Sequence, residues 1–478
     1  MRHALCSEHK SENNVRILIL IAMENTELSV DIVDIALPND YGVAKKDGRV
    51  IFIPGAVIGD RVTVKVTRKS KKFVYGEIVK METPSPFRVT PECPHFGSCG
   101  GCIMQQLQYD NQLEIKKKYL SENLRRIGGI DTNKIDLMPV TPSPAIYFYR
   151  SKLELSFGEQ SGRVVLGLRE RMSPFKSYTA EVVSLNKCPV FSPVVEKIIP
   201  IFTEFAHNEG FMAFNPLTKK GVLKHLILRE SKSTGAIMVI LETRTDVLQN
   251  LDGVIQEMKR HIPEITSFYH ATNKKTDDVV HFERVKRLFG THTIDEKVGD
   301  LILKVYPGTF FQPNTKGAAL LYNEMMNQLN LVGNETILGL YSGSGPIEIY
   351  LSKKSRQVIG VDSDPVNISA ARENCKLNQI TNCTFYQSRT EDALNRIELP
   401  KPDILVLDPP RTGLSKQSLG VVKKLNLPKI AYVSCNPATL ARDLRVLCGH
   451  GYSIHKISPF DFFPHAGHLE TLVILVRS

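Results

Sequence analysis

A chain of 478 residues can fold into two to four domains, each able to bury a core. Its 42% hydrophobic and 23% charged residues, with no low-complexity tract, exclude a disordered or fibrous chain. The net charge of +11 and pI of about 9.1 lean towards a polyanionic partner such as nucleic acid, although a basic balance also serves solubility alone. Cysteines stand at 6, 93, 99, 102, 188, 375, 383, 435 and 448. An odd number, with three inside ten residues, speaks against a secreted disulfide framework and for a reducing cytoplasm. The apolar run Ile17 to Met23 is far too short to span a bilayer, and Glu24 to Glu27 offers no signal-peptide cleavage site, so no membrane association is expected. Regular patterning begins only after Met23. Residues 1–22 therefore read as an extension, disordered or not translated, with Met23 the alternative start.

In chain order, residues 28–80 read as four or five short strands between turn signals, with alternation at Leu28, Val30 and Ile32 and again at Val62, Val64 and Val66. Such spacing predicts a small β-barrel of the oligonucleotide-binding sort. Between Arg61 and Lys72 stand six basic residues, Arg61, Lys65, Arg68, Lys69, Lys71 and Lys72, and no acid. Alone, such a stretch is most often a solvated strand and turn; on a small barrel it is where a phosphate backbone is held. Residues 85–102, rich in Pro, Gly and Cys, form a linker or metal loop, and Gln105 to Ile127 is predicted helical. From 147 to 305 the pattern is mixed, with strands expected at Ser151–Phe157, Val164–Leu168, Leu223–Glu230 and Ala236–Glu242, hence an α+β domain.

After 306, apolar strands alternate with helices. Strands are expected at Thr336–Tyr341, Gln357–Val361, Cys383–Gln387, Asp403–Leu407, Lys429–Ser434 and Thr471–Val476, and helices at Gly345–Lys354, Pro365–Leu377 and Pro437–Leu447. This pattern predicts a Rossmann-like α/β unit, a parallel sheet covered on both faces with its ligands at the carboxyl ends of the strands. The expected division is 1–22 extension, 23–85 barrel, 86–305 central α+β domain and 306–478 α/β domain.

The motifs fall at those strand ends. Leu340-Tyr341-Ser342-Gly343-Ser344-Gly345 lets the backbone turn sharply beside a helix, although a lone Gly-x-Gly is as often an ordinary turn. Asp362, 17 residues after Gly345, adds the carboxylate that pairs with two ribose hydroxyls. Glu348 breaks the phosphate-binding glycine pattern, which favours an uncharged nucleoside such as that of S-adenosylmethionine over a dinucleotide. Asp408-Pro409-Pro410-Arg411 makes a stiff loop that offers a carboxylate and carbonyls to a flat base, and Arg411 stands where adenine-N6 enzymes carry an aromatic. Cys435, in Ser434-Cys435-Asn436-Pro437, is at a strand tip beside a helix N-terminus, a placement that favours a thiolate; a buried structural cysteine is the plainer alternative. Uracil carbon 5 needs such a thiolate on carbon 6 before it can accept a methyl group, and then a base to remove its proton. Glu470 offers that base, with His465 and His468 as rivals. A Cys–His hydrolase would leave the nucleoside cleft without a purpose. Finally, Cys93, Cys99 and Cys102, with Cys188 distant, form a metal loop open to zinc or an iron–sulfur cluster; the radical S-adenosylmethionine spacing is not met.

From about residue 25 onwards the sequence resembles the uracil-C5 RNA methyltransferases, on Asp408-Pro-Pro-Arg411, Ser434-Cys435-Asn436-Pro437, His468-Leu469-Glu470 and Phe310-Phe311-Gln312-Pro313-Asn314. The resemblance implies Cys435 as nucleophile, Glu470 as proton acceptor, and Gln312, Tyr341, Asp362 and Asp408 as contacts of S-adenosylmethionine. It further implies a TRAM domain in the barrel and a 4Fe–4S cluster on Cys93, Cys99, Cys102 and Cys188. The chain departs from the family at Gly339, usually an acid, at Ser342, often cysteine, and at Ser388-Arg389, usually Gly-Asp. These bear on cofactor affinity. The expected partner is RNA, ribosomal in preference to transfer RNA, bound by a monomer. The opposing reading is a non-catalytic RNA-binding protein with a decayed cofactor site.

Overall fold

The computed structural model describes residues 26–39, 41–69, 73–393 and 400–477, the side chains of Arg68 and Lys69 excepted. The extension 1–22, Met23, and Lys71 and Lys72 lie outside the described residues.

The first sheet has six strands rather than four or five: β1 (Glu27–Asp31), β2 (Asp34–Ala36), β3 (Tyr41–Lys46), β4 (Arg49–Pro54), β5 (Arg61–Lys69) and β6 (Phe73–Thr83), in the order β1-β5-β6-β4-β3-β2. Its two outer strands are consecutive in the chain. The bend between them is bonded to both neighbours, with Ile32 N–H donating to Asp60 O at 2.8 Å and Val33 N–H to Val43 O at 2.9 Å, so the sheet curls into a barrel around Val30, Ile51, Ile53, Val62 and Val64. The alternation of the sequence puts those side chains inside. Asp60, 1% exposed, ties the barrel to the 85–88 segment, accepting from Arg88 Nε at 2.7 Å and from Ser85 N–H at 2.9 Å.

The second sheet is built from β7 (Lys152–Gln160), β8 (Arg163–Arg169), β9 (Val182–Ser184), β10 (Leu223–Glu230), β11 (Ile237–Thr243), β12 (Ile265–Thr272) and β13 (Arg284–Gly290), ordered β13-β12-β11-β10-β7-β8-β9. Its pairings are antiparallel except β11 with β12. A hairpin of β14 (Ile294–Val298) and β15 (Leu301–Val305) leads out of it.

The third sheet comprises β16 (Thr336–Leu340), β17 (Gln357–Asp362), β18 (Cys383–Gln387), β19 (Ile404–Leu407), β20 (Lys429–Ser434), β21 (Tyr452–Phe460) and β22 (Glu470–Arg477), ordered β18-β17-β16-β19-β20-β22-β21. The first five run parallel, and β22 runs antiparallel between β20 and β21. Apolar runs do not encode strand direction, so this reversal departs from the all-parallel expectation. Helices cover both faces. Leu321 and Met325 of the helix Thr315–Leu329, Ile347 and Ile349 of Pro346–Leu351, and Ile368 and Ala371 of Pro365–Leu377 pack on one face. The other face receives Leu120 and Leu124 of the helix Tyr109–Arg126, Leu419 and Val422 of Lys416–Leu425, and Leu440 and Leu444 of Pro437–Cys448.

Lys116 of the helix Tyr109–Arg126 is fully buried. Its Nζ donates to Asp461 Oδ1 at 2.7 Å and to Phe463 O at 2.9 Å, while Tyr109 donates to Asp461 Oδ2 at 2.9 Å. The segment between β21 and β22 is thereby pinned to the helix. Removing one member of such a pair leaves an uncompensated buried charge and costs about 3–5 kcal/mol. Lys116→Met should therefore melt several degrees below the parent chain, and Lys116→Met with Asp461→Asn should recover much of the loss. Equal melting of the single variant and the parent would contradict a stabilising role for the pair.

Candidate active site

The loop after β16 turns back on residues with positive φ: Tyr341 at 63°, Gly343 at 54° and Gly345 at 81°. Gly343 N–H donates to Asp362 Oδ2 at 2.9 Å, and Asp364 N–H to Oδ1 at 2.8 Å, so the carboxylate at the end of β17 is fixed against the glycine loop. Tyr341 is held from outside by its hydroxyl, 2.7 Å from Ser418 Oγ. At the end of β20, Asn436 caps the helix Pro437–Cys448, accepting from Ala438 N–H at 3.0 Å, and donates from Nδ2 to Arg411 O at 3.0 Å. The Asp-Pro-Pro-Arg loop and the cysteine loop are thus stapled together. The antiparallel register Ser434↔Thr471 brings Glu470, the first residue of β22, to the edge where Cys435 follows β20.

These loops wall a cavity of about 530 Å³, within the range of small-molecule sites. Gln312, Tyr341, Asp362, Asp408, Cys435 and Glu470 all line it, so residues spread over 159 positions of sequence meet at one sheet edge (312 to 470, counted inclusively). Arg150, Lys152 and Glu154, at the start of β7, close it from the second sheet, and Phe310, 61% exposed, stands at its rim. The motifs did not point to Arg150, Lys152, Glu154 or Tyr322. Glu348 left a signal, as the residue that breaks the glycine pattern. Neither Ser388 nor Arg389 is a wall of the cavity, so the altered third-strand pair does not face it directly.

The electrostatics overturn one expectation. Burial, then Glu470 and Asp408, push the Cys435 thiol up to about 12, although Arg411 opposes them. A helix N-terminus beside the sulfur does not outweigh the loss of water and two facing carboxyls. Burial likewise raises Asp408 to about 7 and holds Glu470 well above the carboxylate range, with Asp408 adding to the latter. His465 and His468 are both lowered to about 4 by burial and do not line the cavity. His465 is a structural residue: its ring stacks on Tyr147 with centroids 4.6 Å apart, and its N–H donates to Gln112 Oε1 at 3.0 Å.

Cys93, Cys99, Cys102 and Cys188 line a second cavity, of about 230 Å³, which shares Arg150 and Glu154 with the first. Gln105 Oε1 accepts from Cys93 N–H at 3.1 Å and steadies the loop. Burial raises all four thiols, Cys102 and Cys188 to about 12. Among the described residues, no three His, Cys, Asp or Glu side chains close to the span of a single metal ion. In the barrel, Lys65 is exposed, whereas Arg61 is engaged by Glu82 at 3.2 Å and Asp31 at 3.8 Å and is not a free phosphate ligand.

Residues 283–478 match the tRNA (Uracil-5-)-methyltransferase family, and residues 22–79 match the TRAM domain. An uncharacterised RNA methyltransferase of Clostridium acetobutylicum is 34% identical over 448 residues, covering 93% of this chain and 96% of that protein. One from Bacteroides thetaiotaomicron is 34% identical over 448 residues, covering 91% and 98%. The crystal structure of Pyrococcus abyssi tRNA (uracil-54, C5)-methyltransferase with S-adenosyl-L-homocysteine superposes with a TM-score of 0.74 at 29% identity, over 94% of this chain and all of that one. With the glycine loop, the ribose-facing carboxylate and the cysteine loop gathered around one cavity, the chain belongs to the uracil-5 RNA methyltransferase family, a class I S-adenosylmethionine-dependent enzyme behind an N-terminal TRAM domain.

Proposed function

We propose that the protein methylates carbon 5 of one uridine in RNA through a transient bond from Cys435. The observation that carries this reading is the pairing of Cys435 and Glu470 on adjacent antiparallel strands at the wall of a nucleoside-sized cavity. Cys435 Sγ bonds to carbon 6, which makes carbon 5 nucleophilic. When bound, S-adenosylmethionine supplies the methyl group that carbon 5 takes. Glu470 then removes the carbon 5 proton, the sulfur–carbon 6 bond breaks, and the ring double bond returns. Asp362 is suited to the ribose hydroxyls, Gln312 and Tyr341 to the cofactor's flanks, and Asp408 to the polar edge of a flat base. The uracil must leave its stack to reach a thiol at a sheet edge.

Ribosomal RNA is the substrate favoured by the TRAM domain together with the cysteine loop. The competing reading, transfer RNA, draws on the likeness to the Pyrococcus tRNA enzyme. Nucleoside mass spectrometry of both RNA pools from a deletion strain decides between them by which pool lacks 5-methyluridine.

Cys93, Cys99, Cys102 and Cys188 suit a 4Fe–4S cluster better than zinc. A zinc ion needs four ligand atoms about 2.3 Å away, whereas these thiols surround a cavity larger than an ion. The cluster would join the 93–102 loop to the Cys188 segment; methyl transfer itself requires no redox step. Anaerobically purified protein should be brown with about four irons per chain. Stoichiometric zinc and a colourless protein would refute this assignment.

The catalytic pair makes separable expectations. Cys435→Ala should form no adduct and transfer no methyl group. Glu470→Gln should still attack and methylate, then remain bonded to the product RNA as a denaturation-resistant band carrying labelled methyl, with turnover down about 10²–10⁴-fold. A Glu470→Gln enzyme that turns over normally would assign the base elsewhere. Because burial holds both Cys435 and Glu470 in their protonated forms at neutral pH, steps that need thiolate and carboxylate gain as pH rises. Single-turnover rates should climb from pH 7 to 9, and a rate that falls over this window would contradict the protonated resting pair.

A further inference from the structure

Gly339, where the family usually carries an acid, and Glu348, which breaks the glycine pattern, face each other beneath the glycine loop. A Cβ on Gly339 would lie 2.1 Å from Glu348 Oε1 and 2.8 Å from its Cγ, so the Glu348 side chain fills the space that a side chain on β16 would take. Glu348 is 2% exposed and lines the cofactor cavity, and its Oε2 is buried without a hydrogen-bond partner. An unpartnered buried carboxyl is costly unless a ligand completes it. Its charged and titratable neighbours are Asp408 and Asp362 on the strand ends, Tyr322 on the helix Thr315–Leu329, and Cys375 and Cys383 behind the sheet; none is a cation.

We propose that Glu348 is the counter-charge for the α-ammonium group of S-adenosylmethionine, delivered from the helix Pro346–Leu351 into room that Gly339 leaves open. This rests on the cofactor named under the proposed function. The cofactor carries two cationic centres, and their placement separates them. The sulfonium must lie near Cys435 and Glu470 for the methyl group to reach the base. The groups that act on Glu348 are Asp408, Asp362 and Cys375, whereas Glu470, Arg411 and Asp408 act on Cys435. Glu348 therefore serves the end of the cavity beside the ribose carboxylate, which leaves the ammonium as the cation within its reach. Burial raises the free carboxyl to about 8, so at pH 7 it enters the complex protonated and gives up that proton as the ammonium arrives.

Calorimetric binding of three probes to the full chain tests the assignment. S-adenosylmethionine carries both cations, S-adenosylhomocysteine only the ammonium, and 5′-methylthioadenosine neither. Glu348→Gln, which keeps shape and removes charge, should weaken the first two by about 10- to 100-fold and leave the third unchanged. Proton release on binding S-adenosylhomocysteine at pH 7, read in two buffers of different ionisation enthalpy, should fall. Gly339→Asp with Glu348→Ser, which returns the acid to the strand, should restore binding of S-adenosylhomocysteine. Loss confined to S-adenosylmethionine would place Glu348 at the sulfonium and overturn the proposal. Equal loss for all three probes, or no loss, would overturn it as well. If the parent chain binds none of the three, the cofactor reading itself fails, a result distinct from an unaffected variant.

Discussion

The buried ion pair between Lys116 and Asp461 fixes the segment on which the cavity depends. Residues 461–469 have no regular structure of their own, so their shape must come from contacts. Lys116 holds the first turn, and Asp461 Oδ1 also accepts from Phe463 N–H at 3.1 Å. Tyr149 donates to Pro464 O at 3.2 Å, Gln112 grips His465, and Asn314 donates to Phe462 O at 3.2 Å. Asn314 also caps the helix that follows Gln312, its side chain accepting from Gly317 N–H at 2.9 Å. One polar network therefore sets the positions of Gln312 and Glu470 together, although they come from opposite walls. A buried network of this kind is stable only when its members are satisfied, and here the contacts come from both large sheets.

Around that network the cavity concentrates negative and titratable groups. Asp362, Glu348, Asp408 and Glu470 all face it, with Arg150, Lys152 and Arg411 at its walls. Without a cation inside, burial dominates and the carboxyls of Glu348, Asp408 and Glu470 keep their protons near neutrality. The same balance governs Cys435. Such a site is poised by its ligands: a positively charged cofactor does for these groups what water does at the surface.

Much of this is legible in the sequence where pattern and location coincide. All six expected strands of the third sheet are found within a residue of their limits, because most are apolar runs bounded by turn residues. The strand Tyr452–Phe460 is not, since His455 and Lys456 interrupt the run at a β-bulge on the sheet edge. Strand direction escapes as well, because hydrophobicity carries no sign along the chain. In the site, the motif residues are legible as a set, yet the state of the Cys435 thiol is not. A strand tip beside a helix reports a local field, whereas desolvation comes from Glu470, Asp408 and walls brought in by tertiary packing. Arg150 and Glu154 are invisible for the same reason: they reach the cavity only because the second sheet is folded against the third.

The insertion of β22 between β20 and β21 has a consequence for the order in which the protein is made. Five parallel strands and the edge strand Tyr452–Phe460 emerge from the ribosome before the strand that must slot between β20 and that edge. Until residues 470–477 clear the exit tunnel, the row of backbone groups along β20 from Lys429 to Ser434 lacks its β22 partner and Cys435 has no facing carboxyl from Glu470. A nascent chain in that state exposes an unpaired edge yet cannot hold the cysteine and glutamate together. Assembly of the reactive pair is thus the closing event of synthesis, and a chain stalled short of residue 470 holds the cysteine without its partner.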